Sequence, residues 1–281
     1  MDSQPSDSPL ADVIEELWLS RASLSVVDEE ARAYVTAAID LLDRGKARVA
    51  WVDEATDQVV VDERAKRAIL LSFKLFPMKE SEVGEFRHND RLPLKRRFDE
   101  VRVVPGAIAR WGSHLAPGVV LMPSFVNIGG YVGAGTMIDT WATVGSCAQL
   151  GRNVHVAGGA GIGGVLEPES AAPVVVEDDA FIGSRCAVVE GARIRRGAKL
   201  GAGTVLTAST RVFDATTGEE LARGELPAWS VGVGSARVTT TAAGDFAMPC
   251  VLVVRHLEEG QTHEKLQLNE IFREHGTVVG R

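Results

Sequence analysis

Hydrophobic positions follow two different periods along this chain. In residues 9–76 they recur at helical spacing. Ser8-Pro9 reads as an N-cap followed by proline at the first helical position, and Leu10, Val13, Ile14 and Leu17 then form an apolar stripe. A second helix is expected from about Asp28 to Asp43, with Val35, Ile39 and Leu42 on one face and Gly45 as its stop. Two short extended stretches, Arg48–Val52 and Val59–Val61, are expected to form a hairpin, and a third helix spans about Glu63–Leu75, before Pro77. Residues 78–100 carry Arg87, His88, Arg91, Lys95, Arg96 and Arg97 and read as a charged, irregular linker or as a basic rim for an anion.

From about residue 101 the period becomes six. Every sixth residue from Val120 is aliphatic: Val126, Val132, Ile138, Val144, Leu150, Val156 and Ile162. Across Glu167–Pro173 the register slips by two, then resumes as Val176, Ile182, Val188, Ile194, Leu200, Leu206 and Val212. Small residues precede most of these by two positions, and turn-tolerant residues, often glycine, frequently follow. Such a repeat predicts a parallel β-helix, in which each unit is one short strand and a corner, and stacked aliphatics fill the interior. Three units close a coil of 18 residues, so fifteen units predict about five coils. Hexapeptide periods are typical of left-handed coils, although spacing alone does not show the hand. The expected organisation is a mainly helical domain with its linker over 1–100, the β-helix over 101–213 and a small strand and helix extension over 214–281. Its clearest strand is Val251–Val254, and a last helix is expected over Gln267–His275.

Composition sharpens this. Of 29 glycines, 2 lie in residues 1–100 and 19 in 101–210, so the period-six segment cannot be a helical body. Net charge is −8, which argues against a nucleic-acid or anionic-membrane binder. The start, Met1-Asp2-Ser3-Gln4, is not a signal peptide, and no uncharged run is apolar enough to span a bilayer; a cytoplasmic protein is expected. Cys147, Cys186 and Cys250 are scattered, with neither disulfide nor zinc spacing. Gly159–Gly164 spells GxGxxG but sits inside the hexapeptide register, without the strand and helix that dinucleotide binding requires.

Residues 113–166 contain two charged side chains, Asp139 and Arg152. Asp139 occupies a corner, where Asp tolerates a left-handed turn, so it reads either as a turn former or as a functional acid. His155 is the other titratable group there, and a lone His is more often structural.

Three strings resolve this by resemblance: Leu121–Gly129, Ile138–Gln149 (with Asp139-Thr140-Trp141-Ala142-Thr143-Val144-Gly145-Ser146) and Gly161–Pro168. They resemble the tetrahydrodipicolinate N-succinyltransferase family, densely over about 101–191 and more loosely to about 255. The resemblance implies a homotrimer of left-handed β-helices with active sites between subunits, no metal and no tightly bound cofactor. It also implies a direct attack of the acceptor amine on succinyl-CoA, a small-molecule co-substrate. Asp139 would contact that amine as the catalytic carboxylate, and Arg102, Asp139, Trp141 and Arg185 would bind the acceptor. Gly163, Gly164, Gly201, Ala202, Thr207 and Arg211 are the candidates for CoA contact. Ala187 is a departure, since many members carry a second acid there. This leaves open an acetyl-CoA-dependent or secondary-metabolite relative, and from another class a non-catalytic β-helix scaffold.

Overall fold

The structure is a computed structural model and describes residues 8–260. Three helices form its N-terminal part: α1 (Val13–Leu19), α2 (Glu29–Asp43) and α3 (Glu63–Leu75). Helix α1 starts later than Ser8-Pro9 suggests: the Ser8 hydroxyl accepts from Leu10 N–H (3.2 Å) and donates to Asp62 (2.6 Å), and the regular helix begins at Val13. Helix α2 ends in a Schellman motif: Lys46 N–H reaches Leu41 O, Gly45 N–H reaches Leu42 O, and Gly45 takes φ +68°. A side chain at Gly45 would also strike the His114 ring. Strands β1 (Ala50–Val52) and β2 (Val59–Val61) pair antiparallel as expected. Residues 78–100 are not irregular throughout: β3 (Lys79–Val83) and β4 (Phe86–Asp90) form an antiparallel hairpin whose residues are all exposed.

From Arg102 the chain winds through three parallel walls of two-residue strands. The first wall stacks Arg102–Val103, Val120–Leu121, Met137–Ile138, His155–Val156, Phe181–Ile182 and Lys199–Leu200. The second runs from Ile108–Ala109 through Phe125–Val126, Thr143–Val144, Gly161–Ile162 and Ala187–Val188 to Val205–Leu206. The third runs from His114–Leu115 through Tyr131–Val132, Gln149–Leu150, Val175–Val176 and Arg193–Ile194 to Glu225–Leu226. Each wall therefore has six such rungs, where five coils were expected.

The inward ladder from Val126 to Leu206 is the predicted one, and its members are fully buried. Two positions differ. At the start the inward residue is Leu121, which pairs with Ile138, and Val120 faces out. The six-residue step in fact begins at Val103 and runs through Ala109, Leu115 and Leu121, and the corner Met122–Phe125 is one residue short. At the end Val212 leaves the ladder and pairs with Val251 over the coil mouth, while Leu226 takes the next inward place. The register slip is a corner lengthened by eight residues between Ile162 and Val176. Gly161 lies in a strand, so the GxGxxG string is coil wall as expected. Residues Ser230–Thr241 and Gly244–His256 form a long antiparallel hairpin containing the expected 251–254 strand. The helix expected at 267–275 lies outside the described residues.

The N-terminal part covers the third wall and the corner before it. Ile128 and Cys147 enter its core beside Ile39 and Ile69. Trp111 Nε1 donates to Asp40 (2.9 Å), Lys95 pairs with Asp43 (2.8 Å), and Arg193 pairs with Asp57 (2.7 Å). His114 is enclosed here, with Nδ1 3.4 Å from Asp43 O and its ring 4.7 Å from that of Tyr131. Burial, aided by Lys95 and Arg48, holds its pKa below the ordinary 6.5. The unfolded chain therefore binds this proton more readily than the folded one. Its contribution is present in full above pH 6.5 and declines as pH falls below it. Melting temperatures at pH 7.5 and 5.5 should fall further for the wild type than for His114→Gln; equal losses would remove His114 as the cause.

Candidate active site

Among the described residues, Asp139, Trp141 and Arg185 share the corner column between the first and second walls, with Arg185 two coils beyond the other two. The corner column is Trp141, Gly159, Arg185 and Gly203, all with positive φ, and the N–H of each donates to the coil before it. Trp141 (φ +61°) and Arg185 (φ +62°) hold a conformation that glycine takes in the alternate coils, at Gly159 and Gly203, a strain that L-residues tolerate only when the surroundings impose it. Gly159 lets the Arg185 side chain lie across it toward Trp141: a Cβ there would come 3.1 Å from Arg185 Cδ. Trp141 is 76% exposed, so its ring is not part of the subunit's core.

Asp139 opens the same corner. Its Oδ1 accepts from the N–H (2.6 Å) and hydroxyl (3.3 Å) of Thr140, and its Oδ2 lies 3.8 Å from His155 Nε2. Arg102 is exposed on the first wall, two rungs before Met137, which is about 10 Å along the coil at ordinary strand spacing. Ala187 faces outward on the second wall between Gly161 and Val205. Glu190 stands at the following corner with φ +57°, in another cleft, and so does not take the place of an acid at Ala187.

The six residues expected to contact CoA do not form one cluster. Gly163 and Gly164 line a cleft of about 620 Å³ with Val189, Glu190 and Ala208, and Thr207 adjoins it. Gly201 and Ala202 belong to the corner of the first and second walls, against Gly183. Arg211 lies near the coil mouth, where its guanidinium is held by Glu220 (Nε–Oε1 3.0 Å) and stacks over Phe213. One wall of the Gly163 cleft is the lengthened corner, and helix α3 grips it. Lys66, wholly buried, donates to Pro168 O (3.1 Å) and Ala171 O (2.6 Å). Burial lowers the Lys66 pKa against the opposing pull of Cys147, Glu169 and Glu63, and the two carbonyls satisfy its ammonium. The sequence reading missed both Lys66 and the His155 contact. Lys66 carries one signal, a lysine on the mainly apolar buried face of α3.

Burial pushes the Cys147 thiol up to about 12 and the Cys186 thiol up to about 11, and Cys186 Sγ donates to Gly201 O. Neither is set up as a nucleophile, which agrees with a mechanism without an acyl-cysteine. Among the described residues no group of three His, Cys, Asp or Glu is placed to hold a metal, and no helix is long and apolar enough to cross a membrane.

A period-six parallel coil with stacked aliphatics inside defines the hexapeptide-repeat acyltransferase class, a mainly β fold with few helices. Residues 173–208 match the hexapeptide repeat of succinyl-transferases, and residues 9–75 match the tetrahydrodipicolinate N-succinyltransferase N-terminal family. Similar proteins include the 2,3,4,5-tetrahydropyridine-2,6-dicarboxylate N-succinyltransferases of Rhodopseudomonas palustris and Acinetobacter baylyi. The first is 44% identical over 281 residues, covering 95% of this chain and 99% of the relative. The second is 42% identical over 276 residues, covering 95% and 99%. The chain belongs to the tetrahydrodipicolinate N-succinyltransferase family.

Proposed function

We propose that this protein transfers a succinyl group from succinyl-CoA to the amine of ring-opened tetrahydrodipicolinate, in lysine and diaminopimelate synthesis. The observation that carries the reading is the placement of Asp139, Trp141 and Arg185 on one corner column, with Asp139 the one acid in residues 113–166, in a chain of this family. The acceptor amine attacks the thioester directly. Asp139 orients the amine and accepts its proton, help typically worth about 10²–10⁴-fold. Arg102 and Arg185 hold the acceptor's carboxylates, a task suited to the planar guanidinium fork. Trp141 supplies an apolar wall. The pantetheine arm of CoA runs past Gly163, Gly164 and Thr207, where small side chains let it approach the backbone; Gly201, Ala202 and Arg211 extend this surface along the coil.

The working unit is a homotrimer of left-handed coils with the site between subunits. The outer face of the second wall supports this. Its six rungs present Ile108, Phe125, Thr143, Gly161, Ala187 and Val205, an uncharged strip left partly or fully exposed by the described residues, and the Asp139 corner borders it. Ala187 leaves Asp139 without a second carboxylate at that position on the second wall, which favours one alternative, a donor or acceptor differing from that of the relatives.

Thiol release from succinyl-CoA and from acetyl-CoA, with tetrahydrodipicolinate as acceptor, separates these readings. Release with succinyl-CoA is expected. Release with acetyl-CoA alone would replace the succinyl assignment, and no release with either donor would overturn the transferase reading.

A further inference from the structure

We propose that His155 is a positioning residue that acts through Asp139, holding its carboxylate toward the acceptor and taking over the proton the carboxylate receives. This rests on the role given to Asp139 above. The Asp139 carboxylate is gripped on one side by its own turn, where Oδ1 accepts from Thr140, and it presents Oδ2 to His155 Nε2 at 3.8 Å. Both side chains are 30% exposed, open enough to meet a ligand and enclosed enough to hold a geometry. The imidazole is fixed from behind. The His155 backbone N–H donates to Ala180 O, its strand lies between those of Met137 and Phe181, and its ring packs 5.3 Å from that of Phe181. Asp139 faces the imidazole from the Met137 side. On the other side stands Phe181, with Lys199 beyond, whose ammonium donates to Asp179 O (2.6 Å). Arg102 lies three rungs away on the same wall.

The chemistry gives this pair a use. Attack joins the amine nitrogen to the thioester carbon and breaks the C–S bond, whose electron pair leaves on sulfur. The nitrogen must then lose a proton. A carboxylate is by class a weak base toward an amine, whereas imidazole is matched to neutral pH. The proton passes from nitrogen to Oδ2 and on to Nε2, and the imidazolium, paired with the restored carboxylate, returns it through water to the thiolate. Amine and thioester thus become amide and thiol with no other reactant. With alanine at 187, the second wall offers no carboxylate there to share the task.

Two measurements test this. His155→Gln should lower kcat roughly 10²-fold near pH 7, leave both KM values within about twofold and the melting temperature unchanged, and remove the rise of kcat with pH through neutrality. In parallel, imidazole ¹⁵N NMR should show the His155 titration midpoint falling in Asp139→Asn, because a neighbouring carboxylate favours the imidazolium. A pH profile intact in His155→Gln, or a midpoint unmoved in Asp139→Asn, overturns the proposal while leaving the transferase reading in place. Absence of thiol release by the wild type with any donor overturns both.

Discussion

Asp139→Asn is expected to keep the coil and its assembly and to lose about 10²–10⁴-fold in kcat. The two halves of this expectation have separate physical grounds. The amide is isosteric with the carboxylate, and its oxygen can still accept the Thr140 N–H that shapes the corner, so the turn keeps its bond. Asp139 is also half-buried rather than packed in the interior, which belongs to Ile138 and Val156. What the amide cannot do is accept a proton or attract a cationic amine. Steady-state rates of thiol release, with light scattering for the assembly, read both halves. A kcat within about twofold of the wild type would strip the carboxylate of any chemical role.

The second large effect is on stability. Ile138→Ala should cost about 2–5 kcal/mol, and Ile138→Val about 0.5–1.5 kcal/mol. Ile138 is fully buried between Leu121 and Val156 on the inward ladder. The cost should fall toward the upper end because the cavity cannot collapse. The walls around it are backbone ladders with fixed rung spacing, so neighbours cannot move in without breaking hydrogen bonds along the coil. Denaturant midpoints for the three proteins check the order. An Ile138→Ala midpoint equal to that of Ile138→Val would mean that the coil relaxes around the void.

The other expectations divide by how local their cause is. The α3 boundaries, the Gly45 stop and the β1–β2 hairpin were legible because each depends on a few adjacent residues. The β3–β4 hairpin was not. All ten of its strand residues are exposed, so no alternation of apolar and polar positions marks them, and the remaining signal is the tight turn at Gly84 (φ +60°). The β-helix was expected from residue 101, but the register of its first coil was missed, since Ala109 is too small to register as an aliphatic step and the short corner at Met122–Phe125 hides the change of phase.

The site shows the same division. Asp139 could be singled out because a charge is conspicuous in a neutral repeat. The His155 partner could not, because the two are sixteen residues apart and meet only when a whole coil brings one strand beside another.

The sequence alone determined that this chain winds into a three-walled parallel coil. The direction of each side chain in a short strand is local geometry, and a period of six repeats it faithfully. Tertiary structure alone decided which outward side chains meet: His155 with Asp139, Lys66 with the lengthened corner at 168–171, Arg211 with Glu220. Those contacts depend on how many residues each coil uses to return, and on the reach of long side chains across that return, which periodicity does not encode.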